Sequence, residues 1–247
     1  MSSDERKTVV LTGASRGIGH ATVKRFSEAG WRILSCSRED VPPECKRDAN
    51  WSRHIPTDLA DAGSIAAFID EANAALVGGP LHALVNNAAL SPKTPYAERL
   101  GCLNGDLDAW RGVFDLNLFA PLALARGFAA ALHRGKGCIV NITSIAGHEH
   151  HPFAGSAYSV SKAALSALTR EMAVEFAELG VRVNAVAPGE IQTEMIGPDY
   201  DALIPRIPMG RMGTADEVAA TVFQLCGPDF GYVTGTEVFV TGGQHLV

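Results

Sequence analysis

The chain has 247 residues, with 27 acidic against 21 basic side chains, a net charge of -6 and no block of like charges. It lacks the clustered Lys and Arg on which phosphate-backbone binding depends, so nucleic acid is not an expected partner. At 47% hydrophobic and 19% charged it has an ordinary globular balance, and its length suits one α/β domain over residues 1–247.

The polar start, MSSDERKTVVLTGAS, runs directly into a strand-like segment and lacks the basic-then-apolar plan of a signal peptide. The longest apolar runs are read as broken by Gly, Asn or charge before the roughly 18 residues of a membrane span. Cys36, Cys45, Cys102, Cys138 and Cys226 are odd in number, scattered and without C-x-x-C spacing. Reduced thiols in a soluble, cytoplasmic protein are expected, with no membrane partner.

In chain order, Lys7–Thr12 reads as a strand, followed by a helix at Gly17–Ala29 and strands at Trp31–Ser37 and His54–Thr57. Next come a helix at Ser64–Leu76, a strand at Leu81–Asn86 and a long helix at Leu107–His133. The rest reads as a strand at Gly137–Thr143, a helix at Ala157–Leu179, a strand at Val181–Ala187, a helix at Ala215–Cys226 and a strand at Glu237–Val240. This alternation predicts a doubly wound parallel sheet of about seven strands with helices on both faces. The irregular segment Glu39–Asn50 is a connection. Ala89–Gly105 and Ile191–Gly213 follow strand ends, where open α/β sheets bind ligands, so they are candidate rim or lid loops.

The first strand enters Thr12-Gly13-Ala14-Ser15-Arg16-Gly17-Ile18-Gly19 and then a helix. Small residues there let backbone approach a pyrophosphate at a helix N-terminus, although a Gly-rich tight turn has the same composition. The second strand ends at Ser37-Arg38, about 20 residues on, where an NAD site places Asp or Glu for the ribose hydroxyls. Arg38 with Arg16 suits a 2′-phosphate instead, which favours NADP(H). If both arginines are solvated surface charges, with Glu39 and Asp40 blunting their field, NAD(H) stays open. Asp58-Leu59 offers a polar contact and an apolar wall to adenine, or Asp58 simply caps a helix.

Tyr158 and Lys162 are four apart and share one face of a helix, a pair that by itself is common and usually structural. A phenol ionises near pH 10, and bringing it to neutrality takes about 4 kcal/mol of preferential phenolate stabilisation, for which a neighbouring ammonium has the right sign. Ser144 ends the preceding strand and places a hydroxyl where it can bind a carbonyl oxygen or cap a turn.

With Asn86-Asn87-Ala88, Asn117 and Pro188-Gly189 in the same order, the chain from Val9 to Gly243 resembles the classical short-chain dehydrogenase/reductase family. That resemblance implies a Rossmann-type fold and a homotetramer or homodimer, with the long helices Leu107–His133 and Ala157–Leu179 packing across a two-fold axis. The Ala-rich stretch Ala120–Ala131 would allow close approach there or face the sheet. The resemblance makes Tyr158 the general acid/base, Lys162 the group that lowers its pKa and holds the nicotinamide ribose, Ser144 the ligand of the substrate oxygen and Asn117 the holder of a relay water. It assigns to the cofactor Gly13, Ser15, Arg16, Gly17, Ile18 and Gly19, then Ser37, Arg38, Asp58, Leu59, Asn86 and Ala88. Tyr158, Lys162, Pro188, Gly189, Ile191 and Thr193 complete that set.

Ile207–Gly213 and Tyr232–Gly235 with Gly242-Gly243 look like the 3-oxoacyl carrier-protein reductase-like branch, whose members also act on other ketones, sugars and cyclic alcohols. Ala89 replaces the usual Gly, Glu190 an apolar residue and Thr241 a frequent Asn; neither Ala89 nor Glu190 is expected to touch the proton-transfer groups. His148-Glu149-His150-His151 is poorly spaced for a metal, and none is expected; these side chains line the substrate mouth or belong to a solvated loop. Met195, Met209 and Met212 read as lid packing. The expected activity is an NADP(H)-preferring interconversion of a small-molecule ketone and secondary alcohol. The alternatives are an NAD-dependent secondary-alcohol dehydrogenase and a nucleotide-binding regulatory protein without chemistry.

Overall fold

Side chains alternate between the two faces of a strand, and in β1 (Thr8–Thr12) every residue is buried whichever way it points. Val9 and Leu11 enter one hydrophobic layer and Val10 the other, so the strand must be covered on both sides. The computed structural model of the protein describes residues 6–40, 49–94, 98–193 and 198–247. After β1 come α1 (Gly17–Glu28), β2 (Arg32–Ser37), β3 (Trp51–Pro56), α2 (Ala62–Leu76) and β4 (Ala83–Asn86). The chain continues through α3 (Leu107–Phe114), α4 (Ala120–Gly135), β5 (Cys138–Ile142), α5 (Ser156–Ala177) and β6 (Arg182–Pro188). It ends with β7 (Ile191–Gln192), β8 (Gly213–Thr214), α6 (Ala215–Leu225) and β9 (Glu237–Val240).

Seven strands form one parallel sheet in the order β3-β2-β1-β4-β5-β6-β9. The chain builds outward from β1 to β3, returns to β4 and builds the other way, so the order reverses between β1 and β4. That reversal leaves a crevice at the carboxyl ends of these two strands, the usual ligand position in such sheets. On one face Phe68, Leu76, Phe128, Leu132, Met172 and Phe176 of α2, α4 and α5 cover the sheet; on the other, Val23 and Phe26 of α1 meet Val218, Val222 and Leu225 of α6.

Several bounds shift by a residue or two, β7 and β8 are additional, and two larger differences stand out. The long helix is interrupted at Asp115–Phe119 by a π-helical turn between α3 and α4. β3 begins at Trp51, three residues early, because Trp51 pairs with Ile33 ahead of a bulge that shifts the register at Leu34. Leu107–Gly135 is long and apolar enough on average to pass for a membrane span, as the core helix of a globular protein also can, although Asn117, Arg126 and Gly127 break its apolar run as the sequence reading has it. Leu124, Ala125, Phe128, Ala131 and Leu132 are instead buried in the layer against the sheet, so part of the Ala-rich face is already covered within one chain.

Candidate active site

The crevice opens into a cleft of about 310 Å³. At its floor the turn after β1 presses against the segment after β4. Gly13 and Gly17 have positive φ, 68° and 55°, which L side chains rarely adopt. A Cβ on Gly19 would lie 2.0 Å from the Gly13 carbonyl oxygen, so no larger residue fits there. The Asn87 amide donates to the Thr12 and Gly13 carbonyls, both at 3.0 Å, while the Thr12 hydroxyl accepts from the backbone N–H of Asn87 and Ala88. Among the described residues no side chain caps the N-terminus of α1, whose first residues, Gly17 and Ile18, line the cleft.

Gly13, Ser15, Arg16, Gly17, Ile18 and Gly19 all line the cleft, as do Ser37, Arg38, Leu59, Ala88, Pro188, Gly189, Ile191 and Thr193. Arg16 and Arg38 are exposed at its rim. Glu39 shares that wall, although the sequence suggests only that it moderates the arginines. Two residues expected at the cofactor lie elsewhere. Asp58 is exposed and accepts from the N–H of Ala60 as a local turn; it does not line the cleft. Asn86 is buried in the sheet, its amide donating to Asn141 at 2.8 Å, and the neighbouring Asn87 takes the cleft position. Strand alternation explains this difference: β4 turns Asn86 into the sheet, and the chain leaves the sheet at Asn87.

At the other end Ser144, Tyr158 and Lys162 converge on the same cleft. Ser144 caps a short 3₁₀ turn, accepting from the Ala146 N–H at 3.2 Å, and α5 brings Tyr158 and Lys162 onto one face. The Lys162 ammonium lies 5.7 Å from the centre of the Tyr158 ring and donates to the Ile142 carbonyl at 2.5 Å. Burial pushes Lys162 down to about 7. Burial also pushes the Tyr158 phenol up, with Tyr200 and Glu190 adding in the same direction and the Ser144 hydroxyl pulling it back. The ammonium faces a carbonyl, and desolvation disfavours both charged forms.

Asn117 also departs from expectation. It is buried outside the cleft wall, its Oδ1 accepting from the Leu90 N–H and its Nδ2 donating to the Leu90 carbonyl and the Ser161 hydroxyl. Both amide hydrogens are thus taken, and the side chain ties the π turn to the segment after β4 and to α5.

The histidine segment splits apart. His148 reaches Glu237 on β9, whereas His151 is buried in the cleft wall against Glu190. Glu190 makes no hydrogen bond to Tyr158 but bears on it electrostatically, as the last of the groups that raise its phenol. Tyr200, from the 3₁₀ segment Pro198–Arg206, is a further cleft residue that sequence reasoning did not single out. Met212 is buried, Met209 is exposed, and Met195 and Cys45 lie outside the described residues. Cys36, Cys102, Cys138 and Cys226 are free thiols.

A family model described as enoyl-(acyl carrier protein) reductase matches residues 13–245. A short-chain dehydrogenase/reductase of Brucella ovis, solved in complex with a partially ordered NAD, is 49% identical, with a TM-score of 0.82 over 96% of this chain and 100% of that one. The chain belongs to the short-chain dehydrogenase/reductase family. This short-chain dehydrogenase/reductase is also 54% identical to Protein FixR of Bradyrhizobium diazoefficiens over 98% of this chain and 88% of that protein. It is 35% identical to galactitol 2-dehydrogenase (L-tagatose-forming) of Cereibacter sphaeroides over 96% and 94% of the two chains. As a member of this family it is an NAD(P)-dependent oxidoreductase acting on alcohol and ketone groups.

Proposed function

We propose that this enzyme interconverts a small-molecule ketone and a secondary alcohol with a preference for NADP(H). It acts as one domain over residues 1–247, in the cytoplasm and as a homotetramer or homodimer. The observation that carries the reading is a single cleft with Ser144, Tyr158 and Lys162 at one end and Arg16 with Arg38 at the other.

The cofactor's pyrophosphate suits the uncapped N–H groups of α1 and the close backbone of Gly13 and Gly19, where a Cβ would block approach. Arg16 and Arg38 suit the 2′-phosphate, Leu59 the adenine, and Ile191 with Thr193 the nicotinamide end. A bound nicotinamide supplies the hydride and, when oxidised, a positive charge near the reacting carbon. In reduction the Ser144 hydroxyl donates to the substrate oxygen and orients it, while the Tyr158 hydroxyl gives that oxygen its proton. Oxidation reverses the transfer, with Tyr158 taking the proton from the alcohol. Lys162 holds positive charge on the Tyr158 side of the cleft whenever it is protonated, opposing the cost of a buried phenolate.

Fluorescence titration of the purified protein with NADPH and NADH tests the preference. Binding of NADPH about tenfold tighter, or about 1.4 kcal/mol, is expected, and Arg38→Asp should remove the difference. Glu39 on the same wall favours the second reading, an NAD-dependent secondary-alcohol dehydrogenase, and NADH binding more tightly would select it. Tight cofactor binding with no turnover across a broad carbonyl and alcohol panel would mark a nucleotide-binding regulator instead.

A further inference from the structure

Glu190 lies two residues beyond the end of β6, and its side chain is 3% exposed in the wall of the cleft. Its Oε1 accepts from His151 Nε2 at 2.7 Å and from the Gln244 amide at 3.2 Å. His151 Nδ1 in turn accepts the backbone N–H of Phe153 at 3.1 Å and of Ala154 at 3.0 Å. A ring nitrogen that accepts two N–H groups carries no proton of its own, so His151 is the neutral tautomer and its one N–H goes to Glu190. It has no donor left for an anionic substrate. The carboxylate therefore sits buried between two neutral donors, with no cation touching it among these partners. Phe153 and Tyr200, with ring centres 4.7 Å apart, form an aromatic corner beside His151.

We propose that Glu190, held in place by His151 and Gln244, makes the substrate end of the cleft selective for ketones and alcohols whose second polar group is a hydrogen-bond donor. Ammonium is favoured over hydroxyl, and carboxylate or phosphate groups are disfavoured. This rests on the oxidoreductase reading above and names its substrate class. A charge in a desolvated wall acts over several ångströms with little screening, so it discriminates by sign even without direct contact. Tyr158 and Tyr200 line the same cleft, and burial raises both phenols with Glu190 adding in the same direction, as expected of a negative charge in this wall.

The test uses four ketones of one carbon skeleton carrying an ammonium, hydroxyl, methyl or carboxylate group at the same position. Each is assayed with saturating NADPH for kcat/KM and, through the fluorescence of bound NADPH, for Kd. Wild-type enzyme is expected to prefer the ammonium ketone over the carboxylate ketone by about tenfold, or about 1.4 kcal/mol. Glu190→Gln keeps an oxygen for His151 and removes only the charge, so it should shrink that ratio to near one. Equal or better use of the carboxylate ketone by wild type overturns the proposal without any variant. So does an unchanged ratio in a folded Glu190→Gln, which would leave Glu190 as a strut for His151. Charge ordering in Kd without turnover would sustain this inference and sink the oxidoreductase reading. Turnover without charge ordering would do the reverse.

Discussion

Tyr158 and Lys162 are set against each other by the same burial. Desolvation raises the phenol and lowers the ammonium to about 7, so neither group is readily charged in the protein alone. Tyr158→Phe should therefore remove the proton donor and little else, lowering kcat by about 10²–10⁴-fold while cofactor Kd stays within about twofold. Stopped-flow turnover and fluorescence titration read the two quantities separately. Lys162 also leaves a mark on stability. Unfolded, it holds its proton to about 10.5, and folded only to about 7, so between these values the unfolded chain binds more protons and stability rises with pH. Below about pH 7 both states are protonated and the fold carries a buried cation. Denaturant midpoints at pH 7 and pH 9 should therefore rise in wild type and rise less in Lys162→Met; parallel curves would refute the burial argument. Tyr158 and Lys162 were legible because their spacing along one helix is local. Glu190 and His151 meet across the helix α5 and strand β6 that separate them, and nothing in either segment points to the other.

The glycine turn and α1 act as one element. The turn is closed by Asn87 from the neighbouring strand end and sealed where Gly19 passes the Gly13 carbonyl. Gly19→Ala places a methyl 2.0 Å from that oxygen, so α1 must shift to accept it. Cofactor affinity should fall at least about tenfold with a measurable loss of thermal stability; an unchanged titration would mean the turn yields freely. The helix bounds were mostly readable from period and caps: Asp61, accepting from the Ser64 N–H at 2.7 Å, starts α2 two residues before the expected position. The π turn over Asp115–Phe119 was not readable. It inserts one extra residue into an otherwise regular apolar pattern, and it is tied in place by Asn117 reaching Leu90 and Ser161.

Across the whole molecule, the reversal of strand order between β1 and β4 brings the glycine turn, the Asn87 segment and the Ser144, Tyr158 and Lys162 group together at the carboxyl end of the sheet. Part of the α4 surface is spent on that sheet, yet Leu107 and Phe119 remain exposed along the same helical rod. This is the surface through which the proposed oligomer would form. Sedimentation equilibrium at micromolar concentration should give a dimer or tetramer, and a monomer there would remove that proposal.

The alternation of strands and helices, the glycine turn and the Tyr158–Lys162 spacing were determined by the sequence itself, because each is a local pattern with a period or a fixed offset. Tertiary structure alone decided that Asn87 rather than Asn86 faces the cleft and that Asn117 spends its amide on the scaffold. It also decided that Glu190 and His151 form one buried pair beside the reacting groups. Those outcomes depend on which segments pack together and on which polar atoms must find partners once water is excluded, and no single segment carries that information.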